Sequence, residues 1–370
     1  MFLSTCSYIP LEIPLSLGIE AKRLFPCGGG SQTESYVPRD FCPYAKGILH
    51  HVSEFSSGTE AFSLAVAGSC DAMRRIADLL TVYWKQLRVY YVDVPRTSDT
   101  SAVDYYASVL KEFASELACV AHTENPISAL PETIRAMNSL RRRLNGVFAE
   151  TVDSPQRKPW AAAIECFLKA NDKLGSGEPV TEELLRTGPL PWDGEFRSAG
   201  RQWRARRPSV IVTGTTCLEA SLVSLIEEAG FRILSVDLCL GTRSTDFQID
   251  ENDPDPFHAL AEGYLGKPPC PRMLDRGRRT SYLDGVIGRL AARVDGDGVP
   301  DGVIYFVPKF CDQGYYDYVE LRRFLGARSI PLLLLEGEFG AAASAQIKTR
   351  LLAFREMLEM KQGTLRLSRN

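Results

Sequence analysis

The 370-residue sequence contains no Cys-x-x-Cys pair and only four histidines, His50, His51, His122 and His258. The first absence removes the usual zinc-ribbon and zinc-finger signatures, and the second weakens any histidine-rich metal site. No stretch reaches the roughly 18 uninterrupted apolar residues of a membrane-spanning helix. The opening MFLSTCSYIPLEIPLSLG is apolar, but proline and glycine break it and no basic residue precedes it, so it reads poorly as a secretory signal. A cytoplasmic protein is expected. A net charge of −3 and a pI of about 6.0 leave no basic field of the kind nucleic-acid binding needs. The one basic cluster, RQWRARR at Arg201–Arg207, reads as a solvated interdomain segment. Neither a nucleic acid nor a membrane is expected as a partner.

What remains is an ordinary globular balance, 45% hydrophobic and 24% charged, in a chain long enough for two domains. Ten cysteines stand out, at positions 6, 27, 42, 70, 119, 166, 217, 239, 270 and 311. In a reducing compartment, and in a chain this large, they do not read as a disulfide framework. Thiolates gathered from distant loops would instead favour an iron–sulfur cluster or zinc, because soft sulfur ligands select those metals.

Short apolar runs alternate with helical patterns through the first hundred residues and again from Ser209. Ser7–Gly18 reads as a lead-in segment with a short helix, and Pro43 suits the first turn of a helix. Strand-like runs at Ala61–Ala67 and Arg88–Val94 flank a helix at Asp71–Trp84. Between them and Ser209, Val103, Tyr106, Val109, Leu110, Phe113 and Leu117 recur at spacings of three and four, which marks a helical segment. Leu174–Pro208 reads as a linker rich in glycine, proline and charge. The expected organisation is an amino-terminal α/β domain over residues 1–103, a helical bridge and linker over 104–208, and a carboxy-terminal α/β domain over 209–370. The fold class is α/β, with two Rossmann-like or flavodoxin-like domains whose parallel sheets are covered on both faces, and a site in the interdomain cleft.

Two Cys-Asp dipeptides, Cys70-Asp71 and Cys311-Asp312, each follow a strand-like run and open a helical pattern. Parallel α/β units present their chemistry at the carboxyl ends of strands, so one thiol per half points to one site between two similar domains. Cys42, before a helix amino terminus, is the third candidate, since free N–H groups and the helix dipole favour a thiolate there. The aspartates read as helix caps rather than catalytic acids. Cys239 ends a strand and Cys270 sits in the rigid loop KPPCP; packing and ligation stay open for both. Cys119 and Cys166 fall on apolar helix faces and read as core. Cys27-Gly28-Gly29-Gly30-Ser31 lacks the lysine of a phosphate loop, and Val212–Cys217 reads equally as an anion-binding or a packing turn. Ser31, Arg243 and Glu336 are candidate substrate contacts, and no catalytic residue is singled out.

These segments together carry a resemblance. TCSYIPLEI at Thr5–Ile13, FCPYAK at Phe41–Lys46, GSCDAMRR at Gly68–Arg75, DLCLGTR at Asp237–Arg243, KFCD at Lys309–Asp312 and QIKTRLLAF at Gln346–Phe354 follow one another in family order over nearly the whole chain. The chain resembles a subunit of the 2-hydroxyacyl-CoA dehydratase family, whose relatives include benzoyl-CoA reductase subunits and double-cubane-cluster proteins. The resemblance implies a 4Fe–4S cluster held by Cys42, Cys70 and Cys311, and an acyl-CoA substrate. It also implies an ATP-hydrolysing activator protein that delivers one low-potential electron, and a homologous second subunit or a homodimer. The reaction implied is expulsion of a hydroxyl group through a substrate ketyl radical. Two departures, an opening close to the first motif and the turn Thr213–Cys217, bear on CoA binding more than on the cluster. Extra thiols at Cys239, Cys270 and Cys6 keep a second reading in view, a double-cubane 8Fe reductase of small molecules. A third is a non-catalytic partner subunit.

Overall fold

The computed structural model describes residues 1–26, 28, 31–55, 62–121, 128–153, 159–178, 207–216, 221–293, 299–338 and 341–367. Cys27, Cys217, Arg201–Arg206 and most of the expected linker lie outside the described residues. The first α/β unit contains β1 (Phe2–Ser4), α1 (Glu12–Ser16), β2 (Ala21–Arg23), α2 (Pro43–Phe55), β3 (Ser63–Ala67), α3 (Asp71–Tyr83) and β4 (Arg88–Val92). Three long helices follow, α4 (Thr100–Ala121), α5 (Leu130–Asp153) and α6 (Trp160–Gly175). The second unit contains β5 (Ser209–Gly214), α7 (Ser221–Glu228), β6 (Arg232–Asp237), α8 (Pro256–Gly266), α9 (Arg276–Arg293), β7 (Gly302–Pro308), α10 (Asp312–Gly326), β8 (Leu332–Gly337) and α11 (Ala341–Leu367).

Both sheets are wholly parallel and share one order, β2-β1-β3-β4 in the first and β6-β5-β7-β8 in the second. Strands β5 and β7 are apolar almost without interruption and buried along their length, as sheets covered on both faces require. In each sheet the order reverses between the first and third strand, which opens a crevice at their carboxyl ends. Strands β1 and β2 were not expected: they flank Ser7–Gly18, which reads as a lead-in segment, and no strand was assigned on either side of it. At three residues each they are too short for a period-two pattern to register. The finding matters because β1 lies inside the sheet and delivers Cys6 to the crevice.

One apolar core joins the two units. It runs from Leu3, Leu64 and Val66 of the first sheet through α2, α3, α5 and α6 to Val210, Val212 and Ile304 of the second. Two outer cores cover the remaining faces, one under α4 and α8, the other under α9 and α10. The helical segment is therefore a structural wedge. Trp160 at the start of α6 stacks on Phe148 at 5.3 Å, and its Nε1–H donates to Ile233 O at 3.1 Å, which ties the wedge to β6. Among the described residues no helix is long and apolar enough to cross a membrane. Trp160→Ala removes a buried aromatic and leaves Ile233 O without its donor. A loss of roughly 3–5 kcal/mol in urea-unfolding stability is expected.

A thiol-lined candidate site between the sheets

The carboxyl ends of the two sheets face each other across the crevice. Gln313 Nε2 donates to Ser69 O at 3.2 Å, and Arg23 Nη1 donates to Cys239 O at 2.8 Å. The Cys270 N–H reaches Tyr8 Oη at 3.3 Å, and Lys267 Nζ donates to Ser7 O. These bonds fix the ends of β1 and β3 opposite the loops of the second unit.

Three thiols are delivered to this crevice by three helix starts. Cys42 precedes α2, Cys70 is the N-cap of α3, and Cys311 is the N-cap of α10. The cysteines, not Asp71 and Asp312, take the cap positions; each aspartate is the first helical residue, where its charge suits the dipole. The expectation that the aspartates cap is thus corrected by one position. All three thiols are half-buried and free. Burial pushes the Cys42 thiol up to about 12, with the neighbouring Cys311 and Cys70 adding to it and the Ala45 and Tyr44 N–H groups opposing. Burial likewise raises Cys311 to about 11, against the Gly314 N–H and the Thr215 hydroxyl, with Cys70 adding. Cys70 is raised by burial, while the Met73 N–H, the Ser69 hydroxyl and the Ala72 N–H act the other way. Each sulfur is thus aimed at the free N–H groups of a first helical turn and lies within electrostatic reach of another of the three.

The surroundings hold these positions. Tyr44 Oη, two residues beyond Cys42, donates to Thr5 O at 2.8 Å and so locks the start of α2 to the end of β1. Phe310 adopts a left-handed φ of 61°, the sharp turn that swings the chain from β7 into Cys311. Gly214 has φ 144°, and a Cβ there would run into Phe306 O. Only glycine lets β5 end this close to β7.

Below Cys311 lies a buried charge network. Asp237 accepts from Arg243 Nη2 at 2.9 Å, Arg279 Nη1 at 2.6 Å and Thr213 Oγ1 at 2.7 Å. Arg243 Nη1 donates to Thr215 O at 2.9 Å, and Tyr305 Oη lies 2.9 Å from both Gly314 O and Asp317 Oδ2. The flanking guanidiniums of Arg243 and Arg279 hold the Asp237 carboxyl below its usual range despite its burial. Arg243, an expected substrate contact, is fully buried with its guanidinium committed to this network. Glu336, the penultimate residue of β8, accepts from Tyr315 Oη at 2.5 Å. The backbone of Ser31 lies in a short 3-10 turn, Ser31–Ser35.

A second set of thiols adjoins the first. The Cys239 thiol donates to Thr215 O at 3.7 Å, Cys239 and Cys270 act electrostatically on each other, and Cys6 acts electrostatically on Cys70. Interaction with Cys270 and with the nearby Arg23, Arg243 and Lys267 draws the buried Cys239 thiol down, whereas Cys270 is pushed up. Burial in turn pulls Lys267 down to about 7. Cys166 is buried as expected, but Cys119 is exposed on α4, on the side turned away from the core. Sequence reasoning passed over Arg23, which lies in no motif, and did not single out Tyr8, Lys267 or Thr215 within the segments TCSYIPLEI, KPPCP and Val212–Cys217 that contain them.

No group of three His, Cys, Asp or Glu among the described residues is gathered closely enough to hold a single metal ion. A multi-iron cluster is broader than an ion, so its ligands stand farther apart. The donor set suits one: three soft thiols and N–H groups aimed at sulfur. The buried Thr215 hydroxyl adds to this, an O–H donor within reach of the Cys311 sulfur. A thiolate or sulfide there would accept a hydrogen bond from it.

Fold and site together define a two-unit parallel α/β protein with a thiol-lined crevice. The 2-hydroxyglutaryl-CoA dehydratase D-component family model matches residues 6–358, and the chain belongs to that family. It is 21% identical to the (R)-phenyllactyl-CoA dehydratase beta subunit of Clostridium sporogenes, over 95% of this chain and 90% of that protein. It is 23% identical to the putative dehydratase subunit YjiM of Escherichia coli, over 95% and 90% of the two chains. The lactoyl-CoA dehydratase beta subunit of Anaerotignum propionicum is also 23% identical, over 95% and 87%.

Asp237→Asn would leave Arg243 without its counter-charge in a fully buried setting. A loss of roughly 3–5 kcal/mol in unfolding free energy is expected, read from the urea midpoint.

Proposed function

We propose that the chain is the iron–sulfur subunit of a 2-hydroxyacyl-CoA dehydratase-like enzyme, with a 4Fe–4S cluster held by Cys42, Cys70 and Cys311. The observation that carries this reading is the convergence of those three thiols at helix starts on the reversal points of two facing sheets. Such a cluster supplies one-electron chemistry at low potential, and three protein ligands would leave a position for a substrate carbonyl. The electron would come from an ATP-hydrolysing activator protein, generate a substrate ketyl radical and permit loss of hydroxide. The work of this chain's own residues is to seat the thiols, to offer N–H and Thr215 O–H donors to sulfur, and to keep the crevice narrow and dry. The dehydratase relatives are named beta subunits, which supports a homologous partner subunit for this chain as well.

The electrostatic reach between Cys239 and Cys270, and between Cys6 and Cys70, favours a second reading: six thiols holding a double-cubane cluster in a reductase of small molecules. One measurement separates the two. Anaerobically purified protein should carry about four iron per chain in the first case and about eight in the second. Cys42→Ala, Cys70→Ala and Cys311→Ala should each abolish iron loading. Full iron content in all three variants would remove this ligand assignment. Cys239→Ala and Cys270→Ala should leave the iron content unchanged under the first reading and halve it under the second.

A further inference from the structure

Helix α10 buries Gly314, Asp317, Leu321 and Leu325 along one side, against the second unit. Its opposite side presents Asp312, Tyr316, Val319 and Arg323, all exposed. At 3.6 residues per turn these four fall within roughly 60° of one another, so they form a single narrow stripe. Two of them are large apolar side chains left to water, Tyr316 at 63% exposure and Val319 at 45%. Phe310, one residue ahead of Cys311, is 46% exposed as well, and its left-handed φ of 61° is uncommon for a bulky side chain. Gly326, at the far end of the helix, is exposed, with nothing within 4 Å of where a Cβ would stand.

Apolar residues scattered singly over a surface need no explanation, but the order along this stripe does. It starts with a carboxylate, continues with two apolar residues and ends with a guanidinium, at spacings of four, three and four. The midpoint between Asp312 and Arg323 is also the midpoint between Tyr316 and Val319. A second copy of α10 laid antiparallel about that point therefore sets each Asp312 against Arg323 of the other copy, and each Tyr316 against its Val319. A twofold interface requires such self-complementarity, because every contact occurs twice with the roles exchanged. The paired stripe is roughly 16 Å long at 1.5 Å per residue. Within one chain Arg323 lies 3.5 Å from Glu320, an exposed pair that contributes little and does not hold it back. The same register brings Phe310 level with Gly326 of the second copy, where no side chain stands in its way.

We propose that the exposed side of α10 is a twofold interface whose occupant is a second copy of this chain, paired antiparallel through Asp312–Arg323 and Tyr316–Val319 contacts. The inference goes beyond the function proposed above and depends on no cluster: the symmetry of the charge and apolar pattern selects both the surface and the chain itself as its partner. Because α10 starts directly after Cys311, the pairing sets two thiol crevices at opposite ends of one helix pair. It also adds apolar contact at Phe310, the turn that aims Cys311.

Sedimentation equilibrium of the full-length chain tests the proposal, and a mass twice 41.0 kDa is expected at micromolar concentration. Tyr316→Asp should raise the dimer dissociation constant by about tenfold or more, with the far-UV circular dichroism spectrum unchanged. Asp312→Arg and Arg323→Asp each set like charges opposite one another, and each variant alone should be monomeric. Mixed one to one they should dimerise again, because the exchanged charges then face each other; only the antiparallel register gives this rescue. Asp312 adjoins Cys311, so Tyr316→Asp and Arg323→Asp, farther along the helix, carry the test if Asp312→Arg fails to fold. A parent chain that is monomeric, or that pairs only with a homologous chain, overturns the proposal, as does a dimer that Tyr316→Asp and Arg323→Asp leave intact. Iron analysis stands apart: a dimer that loads no iron sinks the cluster reading alone, and an iron-loaded monomer sinks the interface alone.

Discussion

Every functional feature of this molecule depends on strand direction. A parallel sheet sends all its strands out on one edge, and each following helix starts there with unpaired N–H groups. Two such sheets share the same order, and bonds at Ser69, Arg23, Ser7 and Tyr8 bring ends of the first against loops of the second. Cysteines placed directly before helices then need no special local geometry to meet. Cys70 and Cys311 come to the same place because each caps the helix after the third strand of its sheet, and Cys42 joins them because Tyr44 binds the end of β1.

Facing two edges toward each other creates a difficulty, since the strand ends carry polar groups that the crevice removes from water. The structure resolves it with buried cations. Arg23 and Arg243 donate to backbone carbonyls on the far side of a loop or a domain boundary, and Lys267 reaches Ser7 while lying 4.1 Å over the Tyr8 ring. Asp237 balances Arg243 and Arg279, and Glu12 balances Arg141. Arg23 has no such carboxylate among the described residues. Breaking any of these pairs costs more than the pair itself contributes, because a charge is left behind in a dry setting. They therefore fix the relative position of the two sheets more than they add to overall stability.

This division explains what could be read from the sequence. The α/β class, the Cys-Asp units and Cys42 were legible because they sit on strong local signals: apolar runs, a helix start, a proline at the first turn. Strands β1 and β2 were not, since Phe2–Ser4 and Ala21–Arg23 are too short for periodicity and take their conformation from neighbouring strands. The aspartates were misplaced by one residue, because an Asp after a Cys looks like a cap until the backbone shows the extended cysteine outside the helix. Cys119 was misjudged because a 22-residue helix turns far enough for a residue among apolar neighbours to face solvent. The partners of Arg23, Glu12 and Lys267 lie between 129 and 260 residues away along the chain, beyond any local pattern.

The two thiol sets differ in what answers a negative charge. Around Cys42, Cys70 and Cys311, burial dominates and the opposing groups are N–H and O–H dipoles. Around Cys239 the opposing groups include the guanidiniums of Arg23 and Arg243, and around Cys270 that of Arg243. Partial charges stabilise an added electron less than full ones do in a low-dielectric crevice.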